Sequence, residues 1–545
     1  MMSASLILVP PAGPSQETQK QFNDIVQSVK NTAAGLSDKR AHPYGGTLVW
    51  GTSNPPTIIN PVLTSHSVSA TLLKIIFNHL VRVNSKGEIE ADLARDWQVS
   101  KDGLVYIFNL RPNVKFHDGI ECTAQDIVFT LKQFMDPKNN SPHRAHFELV
   151  ESVETLDQYT VRITLSKSFP FFLYKLAERE IIPKHIFDGQ KLSSASFNDH
   201  PIGTGPFRFK NWDHKNNQIE LEANPNYFEG RPYLDRIVVK IYPDVAQLWS
   251  AFMRQEVDLS KYISRKDYLV LEKDSTFRTY PIPSETYYSM VYNLKDSIMA
   301  DIDVRRAIAH ALDKKTIIET TTGEGTESIG PFHPQAFGFN SEVKPLDYNP
   351  RKSMEILRKK GWKNRDASGV LEKQDVKLDI ILLVDLRSDI DRKIAMLIRQ
   401  QLSEIGMKVT LQFYNGEKDL YSNPFKRFHA QAWLRSLTGI KKTDSYDVAM
   451  NWYSSSSEFA RFGGYKNKLV DQLFEGARIT ADSDKRADIY KKIHAIIYED
   501  QPACFLFYPL TYHAISAHLQ NTDDYFSVYM PTYTMKDWYI ARETF

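Results

Sequence analysis

The chain has 545 residues, with 42% apolar, 12% aromatic and 25% charged side chains, the composition of an ordinary globular protein. Single hydrophobic cores stop growing well below this length, so at least two domains are expected. A formal charge of +2 without a basic block argues against nucleic acid or an anionic membrane surface as a partner, and the longest apolar runs, such as Ile380 to Val384, are far too short to span a bilayer.

At the start, Leu6 to Val9 is an apolar patch ahead of Pro10 and Pro11, below the length of a signal-peptide core. An export signal is therefore not evident, and no early cysteine offers a lipid anchor. Residues 14–43 read as a polar helix or linker, with Phe22, Ile25, Val26 and Val29 at helical spacing. Thr47 to Trp50 reads as the first strand, ended by Gly51-Thr52-Ser53-Asn54-Pro55-Pro56. Val68, Leu72, Ile76 and Leu80 repeat every fourth residue and predict an amphipathic helix. Leu104 to Leu110 is a strand, and Thr123 with Asp126 marks a capping box ahead of the stripe Ile127, Val128, Leu131 and Phe134. Strands follow around Val161 to Leu165, Ile219 to Leu221 and Ile237 to Tyr242, then a helix face of Val245, Leu248, Trp249 and Phe252.

The rhythm changes in the second half. Val376 to Val384 predicts a continuous buried strand, Ser388 to Ile405 a helix closed by Gly406, and Met407 to Tyr414 another strand. Strand, helix and strand at this spacing form a βαβ unit, which requires parallel pairing with helices packed on the sheet. Ala487 to Tyr498 is a helix and Cys504 to Tyr508 a strand. Cys122 and Cys504 are the only cysteines. They read as buried free thiols, with a long-range disulfide open in an oxidising compartment.

Several motifs recur in order along the chain. They include Asp92-Leu93-Ala94-Arg95-Asp96-Trp97 through Asp102-Gly103, Val114-Lys115-Phe116-His117-Asp118-Gly119, Pro201-Ile202-Gly203-Thr204-Gly205-Pro206-Phe207 and Asn224-Pro225-Asn226-Tyr227. Asp303-Val304-Arg305-Arg306-Ala307-Ile308, Gln400 to Gly406 and Glu499-Asp500-Gln501-Pro502 complete the series. In this collinear arrangement the chain resembles the family 5 solute-binding proteins, the peptide, dipeptide and nickel receptors of ABC importers. The resemblance runs from about residue 45 to 515. The motifs themselves read as scaffold: Gly203-Thr204-Gly205-Pro206 as a tight bend and Asp303 as a helix cap.

The resemblance implies an α/β, two-lobed periplasmic-binding-protein-like fold of type II, with an extra subdomain in the first lobe and the ligand cleft between the lobes. The implied division is an extension over 1–44, lobe I over 45–285 with its subdomain at about 62–195, lobe II over 286–500, and a C-terminal segment over 501–545 that returns to lobe I. It further implies a monomer at the periplasmic or extracellular face that captures a peptide by lobe closure and is read by ABC permease subunits.

Cleft-lining positions carried over from the family are Ser53, Asn54 and Pro55, with a plain turn as the alternative reading. Tyr287, Tyr288 and Tyr292 lie near the expected lobe crossing, and Tyr288 is the ligand candidate among them, although alternating strand tyrosines are as often core. The passage Tyr446 to Ser457 is more informative. Peptide-binding relatives carry a tryptophan there and, three residues later, an aspartate that pairs with the peptide's α-ammonium. This chain keeps Trp452, with Tyr453 beside it, and has Ser455 at the aspartate's place. A hydroxyl cannot neutralise a buried ammonium; Glu458 is a substitute anion, and Arg461 a carboxylate partner.

An enzyme would need a nucleophile, phosphate loop or metal set, and no GxSxG, P-loop or HExxH occurs. Gly323-Glu324-Gly325-Thr326 reads as a turn. His143 and His146 lack a third nearby ligand and read as an exposed loop rather than a metal site. No cofactor and no catalytic residue is therefore expected. A nickel or other metal-chelate receptor of the same family is the main alternative to a peptide receptor. A receptor that signals without transport and an enzyme with an unrecognised site stay open.

Overall fold

The computed structural model describes residues 44–541 apart from 188–189, 417–421, 440–443, 456, 458 and 528–529. The helix or linker expected over 14–43, and Glu458, lie outside the described residues. In lobe I the strands used below are β1 (Thr47–Thr52), β2 (Ala94–Val99), β3 (Val105–Leu110), β4 (Val150–Asp157), β5 (Thr160–Leu165), β6 (Phe207–Asp213), β7 (Gln218–Ala223), β8 (Arg236–Ile241), β9 (Leu259–Ile263) and β10 (Phe277–Pro283). The helices used below are α1 (Ser67–Ile76), α2 (Ala124–Met135), α3 (Phe172–Ala177) and α4 (Val245–Met253). Lobe II contributes β11 (Thr286–Tyr292), α5 (Ile302–Ala311), β12 (Asp379–Asp385), α6 (Asp389–Glu404), β13 (Lys408–Tyr414), β14 (Ala432–Thr438), α7 (Tyr446–Met450), α8 (Lys468–Ile479) and α9 (Ser483–Asp500). A last long strand, β15 (Ala503–Ser516), follows.

The main sheet has the order β13-β12-β14-β11-β15-β9-β1-β8-β7-β6, with β10 paired to β15 off this path. The first half of β15 pairs with β11, Ala503 opposite Val291, and its second half with β10, Leu510 opposite Pro283. One strand thus belongs to both lobes. Within lobe II, β12 and β13 are parallel neighbours joined through α6, which is the expected βαβ unit. The side chains alternate with a period of two: Cys504 and Leu506 face one core layer with Ile394 and Ile398 of α6. Ala503 and Phe505 face the other with Phe474 of α8 and Ile493 of α9, until a register shift against β11 reverses the parity and puts Phe507 in the first layer and Tyr508 in the second. Both faces of this sheet are covered, which is why Tyr287 and Tyr292 are fully buried. Cys122 and Cys504 are both buried and free. The subdomain is a four-stranded antiparallel sheet, β2-β3-β5-β4, with α2 packed on it.

Local details confirm some expectations and correct others. The capping box is present: the Asp126 carboxylate accepts the Thr123 backbone N–H at 2.8 Å. Helix α6 starts on Ser388, whose hydroxyl accepts the Asp391 N–H at 3.1 Å, and Gly406 follows it at φ +83°, a left-handed position that suits glycine. Asp303 does not cap α5; Asp301 does, accepting the Asp303 N–H at 3.0 Å, and Asp303 pairs with Lys360 at 2.9 Å. The predicted stripe through Leu80 stops as a helix at Ile76, where the Gly205 N–H donates to the Ile76 carbonyl at 2.8 Å. A Cβ on Gly203 or Gly205 would stand 2.1 or 2.5 Å from the Ile76 backbone, so these glycines serve close approach rather than a left-handed turn. The expected single strand Val376 to Val384 is split, since Val376–Lys377 pairs in a separate small sheet. His143 and His146 are half-buried rather than exposed: His143 Nε2 lies 2.8 Å from the Thr64 carbonyl and His146 Nδ1 2.7 Å from Arg179.

Two of the collinear motifs meet at Arg305. Its buried guanidinium donates to the carbonyls of Met299 (2.6 Å), Ala300 (3.1 Å), Asp500 (2.8 Å) and Gln501 (2.7 Å). It thereby satisfies carbonyls that α9 leaves unpaired at its end and fixes the entry into β15. Substitution Arg305→Met is expected to destabilise lobe II by about 3 kcal/mol, because several buried carbonyls lose their donor together. The check is the urea midpoint of tryptophan fluorescence, and Arg305→Lys is expected not to restore it, since an ammonium lacks the planar fork.

Candidate functional site

A groove opens along the line where the lobes join. Its widest part is a cavity of about 540 Å³ between the end of β1, α1, α4 and β9, reached from lobe II by Ile390 at the start of α6. A second cavity of about 470 Å³ continues it past the crossing segment Ile282–Thr286 and Thr511. Ser67, Thr71, Lys261 and Tyr262 line both. A third, of about 150 Å³, shares Lys74, Glu285, Met530 and Thr532 with the second. Clefts of this size, with mixed polar and apolar walls and placed between lobes, suit small-molecule capture.

Its floor is built by β9. Leu259 and Ile263 are buried, and the alternation between them would turn Lys261 toward the core. Instead the pairing with β15 shifts register between Ser260 and Ile263, a bulge that re-aims side chains. The Lys261 ammonium comes to lie 5.3 Å from the Trp50 ring centroid and 5.0 Å from that of Tyr525. Burial, with the like charge of Lys74 added, lowers its pKa to about 7. Tyr262 takes φ +57° and is 67% exposed, its ring 5.0 Å from that of His513.

The lobes also touch beside the groove. Lys175 of α3 donates to both oxygens of Asp447 of α7, at 3.0 and 3.1 Å, with Glu178 at 3.9 Å. The Tyr446 ring packs on Phe169 (5.2 Å) and Phe171 (5.8 Å) of lobe I and on Phe474 (5.2 Å) of lobe II. Lys175 is almost wholly enclosed whereas Asp447 is partly exposed, so this contact is a closed lobe edge carrying one desolvated cation.

Of the residues singled out from the sequence, Ser53 and Asn54 line the largest cavity. The Asn54 N–H donates to Thr52 Oγ1 at 3.1 Å, which shapes the turn, and Pro55 is exposed beside it. Tyr288 is half-buried with its ring 5.3 Å from Phe507, packed against the lobe II core. Trp452 is fully buried among Phe459, Tyr465 and Phe505, so in this conformation it meets core side chains rather than the groove. Tyr453 packs on Phe474 at 4.7 Å, Ser455 is exposed, and Arg461 is exposed over the Phe462 ring at 4.4 Å. Ser53 and Asn54 thus share one cavity with Lys261 and Tyr262, and these two share the next with Lys74; the sequence pattern does not single out Lys74, Lys261 or Tyr262. The one available signal was a lysine at the core-facing parity of an apolar strand. Among the described residues, no group of three or more His, Cys, Asp or Glu side chains is placed to hold a metal ion.

A family model described as "Bacterial extracellular solute-binding proteins, family 5 Middle" matches residues 88–459. The chain belongs to this family. As a family 5 protein it is 29% identical over 516 residues to the oligopeptide-binding protein AppA of Bacillus subtilis, covering 91% of this chain and 92% of that protein. The solved structure of that AppA in complex with a nonapeptide superposes with a TM-score of 0.75 at 28% identity, over 92% of this chain and 99% of the other. NikZ from Campylobacter jejuni in complex with Ni(L-His) superposes with a TM-score of 0.76 at 26% identity, over 92% and 100%. These neighbours are two-lobed binding proteins, and the relatives are solute-binding receptors rather than enzymes. No helix among the described residues is long and apolar enough to cross a membrane.

The lobe-edge contact gives a direct test. Asp447→Asn leaves Lys175 buried with only Glu178 nearby, and is expected to shift the lobes toward opening by about 1–2 kcal/mol. Small-angle scattering of the ligand-free protein would then show a larger radius of gyration than wild type.

Proposed function

We propose that this protein is the substrate-binding component of an ABC importer. In this reading it captures peptides between its lobes and presents the closed form to permease subunits, as a monomer at the periplasmic or extracellular face of the membrane. The observation that carries this reading is the groove bounded by both lobes and by the segments that cross between them. A ligand touching Ser53 and Asn54 on one side and lobe II on the other favours closure by its differential contacts with the two states. The likeness to AppA, an oligopeptide-binding protein, supports a peptide as the occupant. No role in turnover is assigned to any side chain.

Tyr453, Ser455 and Arg461 are proposed as the lobe II contacts, with Tyr288 near the crossing and Trp452 as the buried support of their loop. Because Ser455 stands where peptide-binding relatives have an aspartate, Ser455 itself offers an α-ammonium only a hydrogen bond, and Glu458 is the substitute anion of this loop. A metal-chelate receptor is the second reading, favoured by the likeness to NikZ.

Native mass spectrometry of the purified protein separates these readings. A co-purifying peptide is the expected result, and a bound metal complex would replace the peptide reading with the second one. Turnover of a candidate substrate would overturn both. Ser455→Asp is expected to tighten binding of free-amino peptides by about tenfold, the value of one charge-assisted contact. Calorimetry showing no gain would remove this loop from the ammonium site.

A further inference from the structure

We infer that Lys74 and Lys261 form a carboxylate-binding subsite on the lobe I wall of the groove, with Tyr262 packing on the apolar part of the ligand beside that carboxylate. The inference rests on the proposed use of this groove for ligand capture and names the chemistry that the groove selects.

Three observations carry it. First, the two lysines line the same cavity, and among the described residues neither has a hydrogen-bond partner or a carboxylate within ion-pair distance, while most other buried or half-buried cations do. Arg82, Lys175, Arg305 and Arg486 are each held by carboxylates or carbonyls. Lys74 feels the buried Glu180 carboxylate only from beyond ion-pair distance, the two neighbouring ammonium groups repel each other, and that cost is recovered when an anion lies between them. Second, Lys261 is held by the Trp50 and Tyr525 rings. This fixes the ammonium without neutralising it, as a preorganised anion site requires. Third, Tyr262 is placed there by the bulge in β9 and a left-handed backbone, a conformation costly for an aromatic residue. It leaves a large ring in the groove, lining both of the larger cavities.

Of the other titratable groups near this wall, Glu180 interacts with Lys74 through space but lies against His79 at 3.6 Å and forms no ion pair with either lysine. Glu285 lines the same cavity but forms no ion pair with either lysine and is exposed. His513 lies behind Tyr262 and stays neutral, since burial and then the charge of Lys261 lower its pKa to about 3. The separation of Glu285 from the lysines suits a ligand that carries its anionic group at one end.

The test uses a mixed-sequence peptide library made once with free C-termini and once as C-terminal amides, together with phenylpropionate and phenylpropanamide as non-peptide probes. Wild type is expected to prefer free carboxylates by about tenfold in native mass spectrometry and calorimetry. Lys261→Met, which keeps the stem against Trp50 and Tyr525, is expected to remove most of that preference, and Lys74→Gln to reduce it, with thermal melts confirming that both variants fold. Equal binding of the free and amidated libraries would overturn the subsite and leave peptide capture standing. If no peptide binds but phenylpropionate binds in preference to its amide, and Lys261→Met abolishes this, the subsite stands and the peptide reading falls. Binding of neither carboxylate would overturn the subsite.

Discussion

Both lobes are built on one strand. Because β15 pairs with β11 in its first half and with β9 and β10 in its second, neither sheet is complete without it. Beside it the chain crosses once more between β10 and β11, and the Ser284 N–H donates to the Pro509 carbonyl at 2.9 Å. Pro509 and Pro283 lack an N–H of their own, so the ladder is thinnest where the chain passes from one lobe to the other. The groove is lined by this crossing, through Ile282, Pro283, Ser284 and Thr511. Arg305 secures the start of this strand by binding the carbonyls of Asp500 and Gln501.

The charged groups divide into two kinds. Those that hold the scaffold are paired, often within buried networks. Asn78 donates to Asp92 at 2.7 Å and to Tyr227 at 3.0 Å, while Thr204 donates to Asn78 at 3.1 Å. This network ties together motifs far apart in sequence and pairs these side chains with one another, even where Asn78 and Asp92 border the smallest cavity. Lys74 and Lys261, by contrast, face the groove, and among the described residues neither has a carboxylate within ion-pair distance. A structure that pairs its internal charges elsewhere and leaves two unpaired at its cleft has placed unspent electrostatic attraction where a ligand arrives.

Much of the fold was legible because it depends on local rules. The capping box at Thr123 and Asp126, and Ser388 and Gly406 bounding α6, each follow from backbone geometry within a few residues, whereas Phe413, expected to alternate inward with Val409 and Leu411, is exposed at this sheet edge. The errors arose where distant backbone intervened. Gly205 ends α1 at Ile76 from well over a hundred positions away, and Asp301 rather than Asp303 caps α5 because the chain enters the helix from a turn. The candidate site was less legible for the same reason. Ser53 and Asn54 follow the first strand, where the resemblance implies cleft-lining positions, but Tyr262 reaches the groove through a register shift against β15, which no periodicity in Leu259 to Ile263 reveals.

By itself, then, the sequence determined the elements, their parallel βαβ arrangement and, through its collinear motifs, the family. Spacing and capping are properties of neighbouring residues, and they survive in any one-dimensional reading. Only the tertiary structure decided that Trp452 is enclosed in the core, that Lys175 meets Asp447 across the lobes, and that two lysines from a helix and a bulged strand face one cavity. Burial and electrostatic partnership depend on which distant segments pack together, so the same lysine is a surface charge in the sequence and a groove-facing cation in the fold.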